Sequence, residues 1–174
     1  MRRVTPAIAI AIAVGAALGF GTAVVRAGPE RVPLPDDYQA RFVRYLDVDR
    51  PDTMRVRRMY VNPEAHDAAE AGAPLPDGTV LIMEDHDART DTDGRPLLDP
   101  EGRMQPLEPV VNVFVMRKDA AWRTENGNWD YAWYLPDGNP RPDASFDGCF
   151  ACHASRAERD YTFTYWKFVS DAAR

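Results

Sequence analysis

Cys149 and Cys152 are the two cysteines of this 174-residue chain, and His153 directly follows the second. Thiols at that spacing have four chemical uses. They can close a disulfide, work as a redox-active pair of the thioredoxin kind, join other ligands around zinc, or carry a haem. A thioredoxin-like pair opens a helix after a buried strand, whereas here a polar, proline-rich stretch comes first. A zinc site needs further ligands, and only His66, His86 or carboxylates remain to supply them. Cys149-Phe150-Ala151-Cys152-His153 matches the C-x-x-C-H sequence to which c-type haem is attached. Two intervening residues put both sulfurs on one helical turn, within reach of the two vinyl-derived carbons of a porphyrin, and the next residue projects its imidazole toward the iron. We therefore expect one covalent haem c, held by Cys149 and Cys152, with His153 as proximal ligand. The second imidazole nitrogen should donate to a carbonyl or carboxylate, which fixes the ring. The small residues Ala151 and Ala154 let the macrocycle approach the backbone.

The remaining sequence must build the scaffold. Asp36 to Tyr45 reads as a short amphipathic helix, capped by Asp36, with Tyr38, Phe42 and Tyr45 near helical spacing. Arg55 to Val61 is strand-like. Asn62-Pro63-Glu64 then offers a cap, a first-turn proline and an early carboxylate for a helix stopping at Gly72. Pro74 to Gly78 turns the chain into an apolar, mostly buried strand from Thr79 to Met83. Asp85 to Pro109, polar and rich in Asp, Arg, Gly and Pro, reads as a hairpin excursion or surface loop. Val110 to Arg117 returns to strand character. Trp129, Tyr131, Trp133 and Leu135 alternate with Asn128, Asp130, Ala132 and Tyr134, the period of a half-buried strand. Their aromatic face belongs in the core or at an interface. Asp147 to Ala157 suits a short capped helix carrying the cysteines, and Tyr161 to Tyr165 a last extended piece.

The chain is long enough for one core. Its formal net charge of −6 excludes nucleic acid, whose phosphates call for a basic face, and leaves a small ligand or a partner protein. Arg2 and Arg3 precede an uncharged run from Val4 to Val25, which is how an export signal begins. Residues 1–27 are read as a signal peptide, cleaved after Ala27, or as an N-terminal anchor, since the run is also long enough to span a bilayer. Residues 28–174 then form a single periplasmic domain.

Small helical cytochromes carry the haem motif near the N-terminus; this strand-rich chain carries it near the C-terminus. From Leu34 to Tyr165 it resembles the cytochrome P-460 and cytochrome c′-beta family. The matching pieces are Met59-Tyr60-Val61-Asn62-Pro63, Pro76-Asp77-Gly78-Thr79-Val80 with Glu84, Lys118-Asp119, Asn128-Trp129, the C-x-x-C-H motif, and Asp160-Tyr161-Thr162-Phe163-Thr164. The resemblance implies an α+β fold, an antiparallel sheet flanked by short helices with the haem-attachment helix near the C-terminus. It also implies a homodimer packed through sheets and a haem with a gas-accessible distal face. Members bind nitric oxide, and the P-460 members proper oxidise hydroxylamine with a haem cross-linked to a lysine. That lysine stands in a Lys-Glu pair after the Gly-Thr-Val of the strand; here the pair reads Met83-Glu84. The chain has two lysines, Lys118 and Lys167, both elsewhere.

Met83 has two readings. It is a core residue of a buried strand, or a distal residue over the iron, as thioether ligand or apolar lid. Glu84 is the candidate catalytic carboxylate at the rim or an exposed strand-end charge. His86, between Asp85 and Asp87, is a possible sixth ligand or a solvated side chain; His66 sits on a polar helix face. The leading function is a mono-haem cytochrome that binds nitric oxide or a similar diatomic, transfers electrons to a redox partner, or does both. The alternatives are an oxidoreductase acting on hydroxylamine or another small nitrogen species, and a disulfide-bonded binding module without haem.

Overall fold

The computed structural model describes residues 27–122 and 124–174. The expected export segment lies outside these residues except for Ala27. Among the described residues, no helix is long and apolar enough to cross a membrane.

Five strands pair antiparallel in chain order: β1 (Val43–Arg50), β2 (Arg55–Val61), β3 (Val80–Asp87), β4 (Asn112–Lys118) and β5 (Trp129–Tyr134). Around them stand the short helices α1 (Tyr38–Arg41), α2 (Pro63–Ala68), α3 (Asp147–Ala154) and α4 (Tyr165–Ala172). This is the antiparallel α+β architecture expected.

The register sorts side chains into rows, because directly paired residues share a face and successive residues along a strand alternate. Val61, Leu81, Met116 and Tyr131 make one row, and Met59, Met83, Phe114 and Trp133 the next. Arg57, Asp85 and Asn112 make a third row on the same face. The opposite face presents Tyr60, Ile82, Val115 and Ala132, then Glu84, Val113 and Tyr134. The N-terminal segment covers that second face: Val32 and Tyr38 pack against Tyr60, Ile82 and Tyr134, and the Tyr134 hydroxyl donates to the Val32 carbonyl at 2.6 Å. Over the first face, Ala65, Leu75 and Tyr165 close on the Val61 row, joined by Phe150 of α3 and Phe168 of α4. Beyond that closure the face is left uncovered enough to form a cavity.

Several elements depart from the sequence reading. The helix expected from Asp36 to Tyr45 is one turn long, and Tyr45 lies on β1 at an irregularity between the paired Arg44 and Leu46, its hydroxyl 2.8 Å from Thr164 Oγ1 and its ring edge-on to Tyr165. The helix expected to reach Gly72 ends earlier, with Ala69 extended. β3 continues to Asp87, through residues expected in a loop. Its acidic end is matched across the ladder by arginines, Arg57 to Asp85 at 2.8 Å and Arg55 to Asp87 at 3.2 Å, and such pairs favour continued strand. Tyr165 opens a helix instead of ending a strand, because Tyr165, Phe168 and Val169 share one helical face against the core. α3 has Phe146 at its N-cap and no side-chain capping bond.

Candidate haem site

α3 is fixed to the sheet through Phe150, whose ring meets Tyr131 edge-on at 4.9 Å. Cys149 is half-buried and Cys152 exposed, both as free thiols. Burial pushes the Cys149 thiol pKa up, which keeps it protonated at neutral pH. The His153 ring lies 4.9 Å from Tyr131 and 5.1 Å from Phe163.

His153 Nδ1 is 2.6 Å from the carbonyl oxygen of Tyr161. A carbonyl only accepts, so Nδ1 carries the proton and Nε2 keeps its lone pair. Burial lowers the His153 pKa, against a smaller opposing effect of the Tyr161 carbonyl, and so favours the neutral imidazole that a metal ligand must be. The carbonyl is itself held in place. Asp160 and Tyr161 both take left-handed backbone, φ 49° and 60°. The Asp160 carboxylate accepts from Lys118 Nζ at 2.7 Å and from the Leu75 amide at 2.8 Å. The Tyr161 hydroxyl donates to the Glu125 carbonyl at 3.2 Å, and its ring occupies space that a Cβ on Gly127 would invade, at 2.5 Å.

A cavity of about 580 Å³ opens against this helix and runs over the Met59–Met83–Phe114–Trp133 row. Cys149, Cys152, His153 and Phe163 line it on one side, and Met83 belongs to its sheet wall. Phe114 and Trp133 lie tilted together at 4.9 Å in that wall. Trp129 and Tyr131 are buried, whereas Trp133 is half-buried.

Glu84 is elsewhere. It is fully buried on the opposite face of the sheet, which corrects both the rim and the exposed strand-end readings. Its oxygens accept from Tyr38 at 2.7 Å, Gln39 at 2.5 Å and Tyr60 at 2.9 Å, with His86 Nε2 at 3.2 Å. Burial alone would raise its pKa, but the bonds from His86, Tyr38, Gln39 and Tyr60 together bring it down to about 2. His86 is likewise fully buried and not solvated; it faces Glu84 and not the cavity. His66 bonds the Tyr165 hydroxyl through Nδ1 at 3.0 Å. Lys118 is engaged by Asp160, and Lys167 by Asp171 on the exposed side of α4. Neither lysine lines the cavity.

Sequence reasoning did not single out Arg50, Arg57, Phe114 or Phe163 among the lining residues. Alternation from Met83 along β3, carried to β2 and β4, was the available signal. Among the described residues no group of three or more His, Cys, Asp or Glu is placed to hold a metal ion. The zinc alternative thus finds no ligand set there.

The residues present fit a haem. One helix brings two thiols and an oriented imidazole to a single apolar cavity of a size proper to a bound cofactor. The Tyr131 hydroxyl on that wall is buried and has no hydrogen-bond partner within the protein. No curated protein matches the chain. Among protein families, residues 35–164 match Cytochrome P460. The match spans most of the sequence, including the motif on α3, the sheet and the Asp160–Tyr161 segment: the chain belongs to the cytochrome P460 family, and its cofactor is a haem.

Proposed function

We propose that the protein is an exported mono-haem c-type cytochrome that binds nitric oxide or a similar diatomic and exchanges electrons with a partner protein in the periplasm. The observation that carries this reading is the convergence of Cys149, Cys152, the Tyr161-oriented His153 and Met83 on one cavity. Cys149 and Cys152 would hold the haem as thioethers, each thiol adding across a vinyl group with no oxidant consumed. His153 would offer Nε2 to the iron, with the Tyr161 carbonyl keeping the proton on Nδ1. When bound, the haem would supply a one-electron centre able to take a small ligand. Met83 stands on the sheet wall as lid or thioether ligand, and Phe114 and Trp133 beside it exclude water. The position that carries the cross-linking lysine in hydroxylamine-oxidising relatives is Met83, and both lysines are bound elsewhere, which favours ligand binding over that oxidation. A homodimer packed through sheets belongs to the same proposal.

The test is purified, exported protein. Intact mass should exceed the mature chain by one haem, a pyridine haemochrome should show c-type bands, and the ferrous form should titrate with nitric oxide. Free thiols or a Cys149–Cys152 disulfide in material matured with haem available would end the haem c reading.

A further inference from the structure

The cavity's two charged lining residues stand at the far end of the sheet from α3: Arg57 on β2 in the third row, paired across to Val48 of β1, and Arg50 on β1 one row further, paired to Arg55. Counting along β2, Arg57 stands four residues from Val61, against which the α3 end of the face is packed, or about 13 Å at strand rise. Arg57 donates Nε–H to Asp85 Oδ1 at 2.8 Å. Asp85 lies on the same face, and its side chain is 12% exposed against 27% for Arg57. Arg50 is instead turned to Asp52, which takes its Nε and a terminal nitrogen at 2.9 and 2.6 Å.

A guanidinium presents donors along two edges. With Nε committed to Asp85, the terminal N–H groups of Arg57 remain to meet a second carboxylate in bidentate fashion. Asp85 already balances the charge of Arg57, so what the cavity is offered is the directed pair of terminal N–H donors, which only an acceptor inside the cavity can satisfy. Porphyrin chemistry supplies one, since the propionates stand on the edge of the macrocycle opposite the vinyl groups. Vinyls anchored at Cys149 and Cys152 therefore send carboxylates away from α3.

We infer that Arg57, oriented by Asp85, is the residue that receives a haem propionate. This rests on the proposed attachment at Cys149 and Cys152. Arg57 is a positioning residue: shared between Asp85 and a propionate, it hydrogen-bonds the propionate and offsets part of the negative charge felt at the iron. Without it, an uncompensated carboxylate favours the ferric form.

The experiment compares haem-loaded, exported wild type with Arg57→Leu, Arg57→Lys and Asp85→Asn, each checked by mass and thermal unfolding. The readout is the midpoint potential from spectroelectrochemistry between pH 5 and pH 9, together with azide affinity of the ferric form. Arg57→Leu should move the one-electron equilibrium about tenfold toward the oxidised form, which is about 59 mV. Arg57→Lys should recover part of that shift as a point charge, and Asp85→Asn should move it less than Arg57→Leu. Wild type lacking covalent haem would instead sink the underlying attachment, a result visible by mass before any potential is read. Haem-loaded Arg57→Leu with the wild-type potential and pH dependence overturns the assignment. A tenfold change in azide affinity at unchanged potential also overturns it, placing Arg57 beside the distal ligand. Should Arg57→Leu fail to fold, an unchanged potential in Arg57→Lys and Asp85→Asn together overturns it.

Discussion

His153 Nδ1 and the Tyr161 carbonyl oxygen lie 2.6 Å apart, joining the end of the cysteine helix to a two-residue left-handed turn eight residues downstream. The bond keeps the proton on Nδ1, leaves the lone pair on Nε2 and fixes the orientation of the ring. Replacing His153 with Ala should leave thioether-attached haem whose proximal ligand is lost, or strongly reduce the yield of loaded protein. The checks are haemochrome content per chain and the ferric spectrum. Unchanged spectra and yield would remove His153 from the iron.

The Tyr161 carbonyl can be displaced without touching the imidazole. Gly127 has φ 68°, where a side chain is strained, and an added Cβ would meet the Tyr161 ring at 2.5 Å. Gly127→Ala should cost about 1–3 kcal/mol from the backbone and the clash together. It should also alter the proximal ligand field, because the ring and the carbonyl move as one residue. Denaturant unfolding measures the first, and the potential of the loaded protein measures the second. Loss of stability with an unaltered haem spectrum and potential would show that the turn is not transmitting to His153.

Glu84 gives a pH prediction. Its folded pKa is depressed to about 2 from the ordinary 4.5, so its contribution is present above about pH 4.5 and is lost as pH falls toward 2. For a fully buried carboxylate this is on the order of 3 kcal/mol. Glu84→Gln should therefore be destabilised most at neutral pH, and the difference from wild type should narrow through that acidic window. Unfolding curves at pH 7, 5 and 3 test this. A difference that stays constant with pH would mean that Glu84 does not carry its charge in the folded protein.

The motif on α3 was legible because its chemistry is local: both sulfurs and the imidazole come from five consecutive residues. The strands from Arg55 and Trp129 were legible too, through β-branched and aromatic alternation. What the sequence hid was pairing at a distance. Tyr45 looked helical because its neighbours Tyr38 and Phe42 fall at helical spacing, yet β2 pairs β1 on both sides of it, leaving Tyr45 at an irregularity in the ladder. The charges of Glu84, Asp85 and His86 looked solvated because nothing local shows that Tyr38, Tyr60 and Arg57 reach them across the sheet. Lys118 and Asp160, matched as separate family segments, prove to be one ion pair, a relation no single-strand pattern contains.

Met83 carries the last prediction. It precedes Glu84 in sequence but occupies the other face, in a row with Met59 on one side and Phe114 on the other, so its thioether lies in the cavity wall that α3 overlooks. Truncation to Ala removes the thioether and its methyl from a half-buried position, costing about 2 kcal/mol at the low end for such changes. If Met83 is an apolar lid, Met83→Ala should speed nitric oxide association about tenfold, with little change in potential, as the wall recedes. A ligating Met83 would instead show a sulfur-to-iron charge-transfer band in the ferric wild type. That band should vanish in Met83→Ala while the potential falls, because thioether ligation favours ferrous iron. Stopped-flow mixing and a near-infrared spectrum on the same two proteins distinguish these outcomes. Identical ligand kinetics, spectra and potential in wild type and variant would return Met83 to a purely packing role and move the distal assignment to Phe114 or Met59.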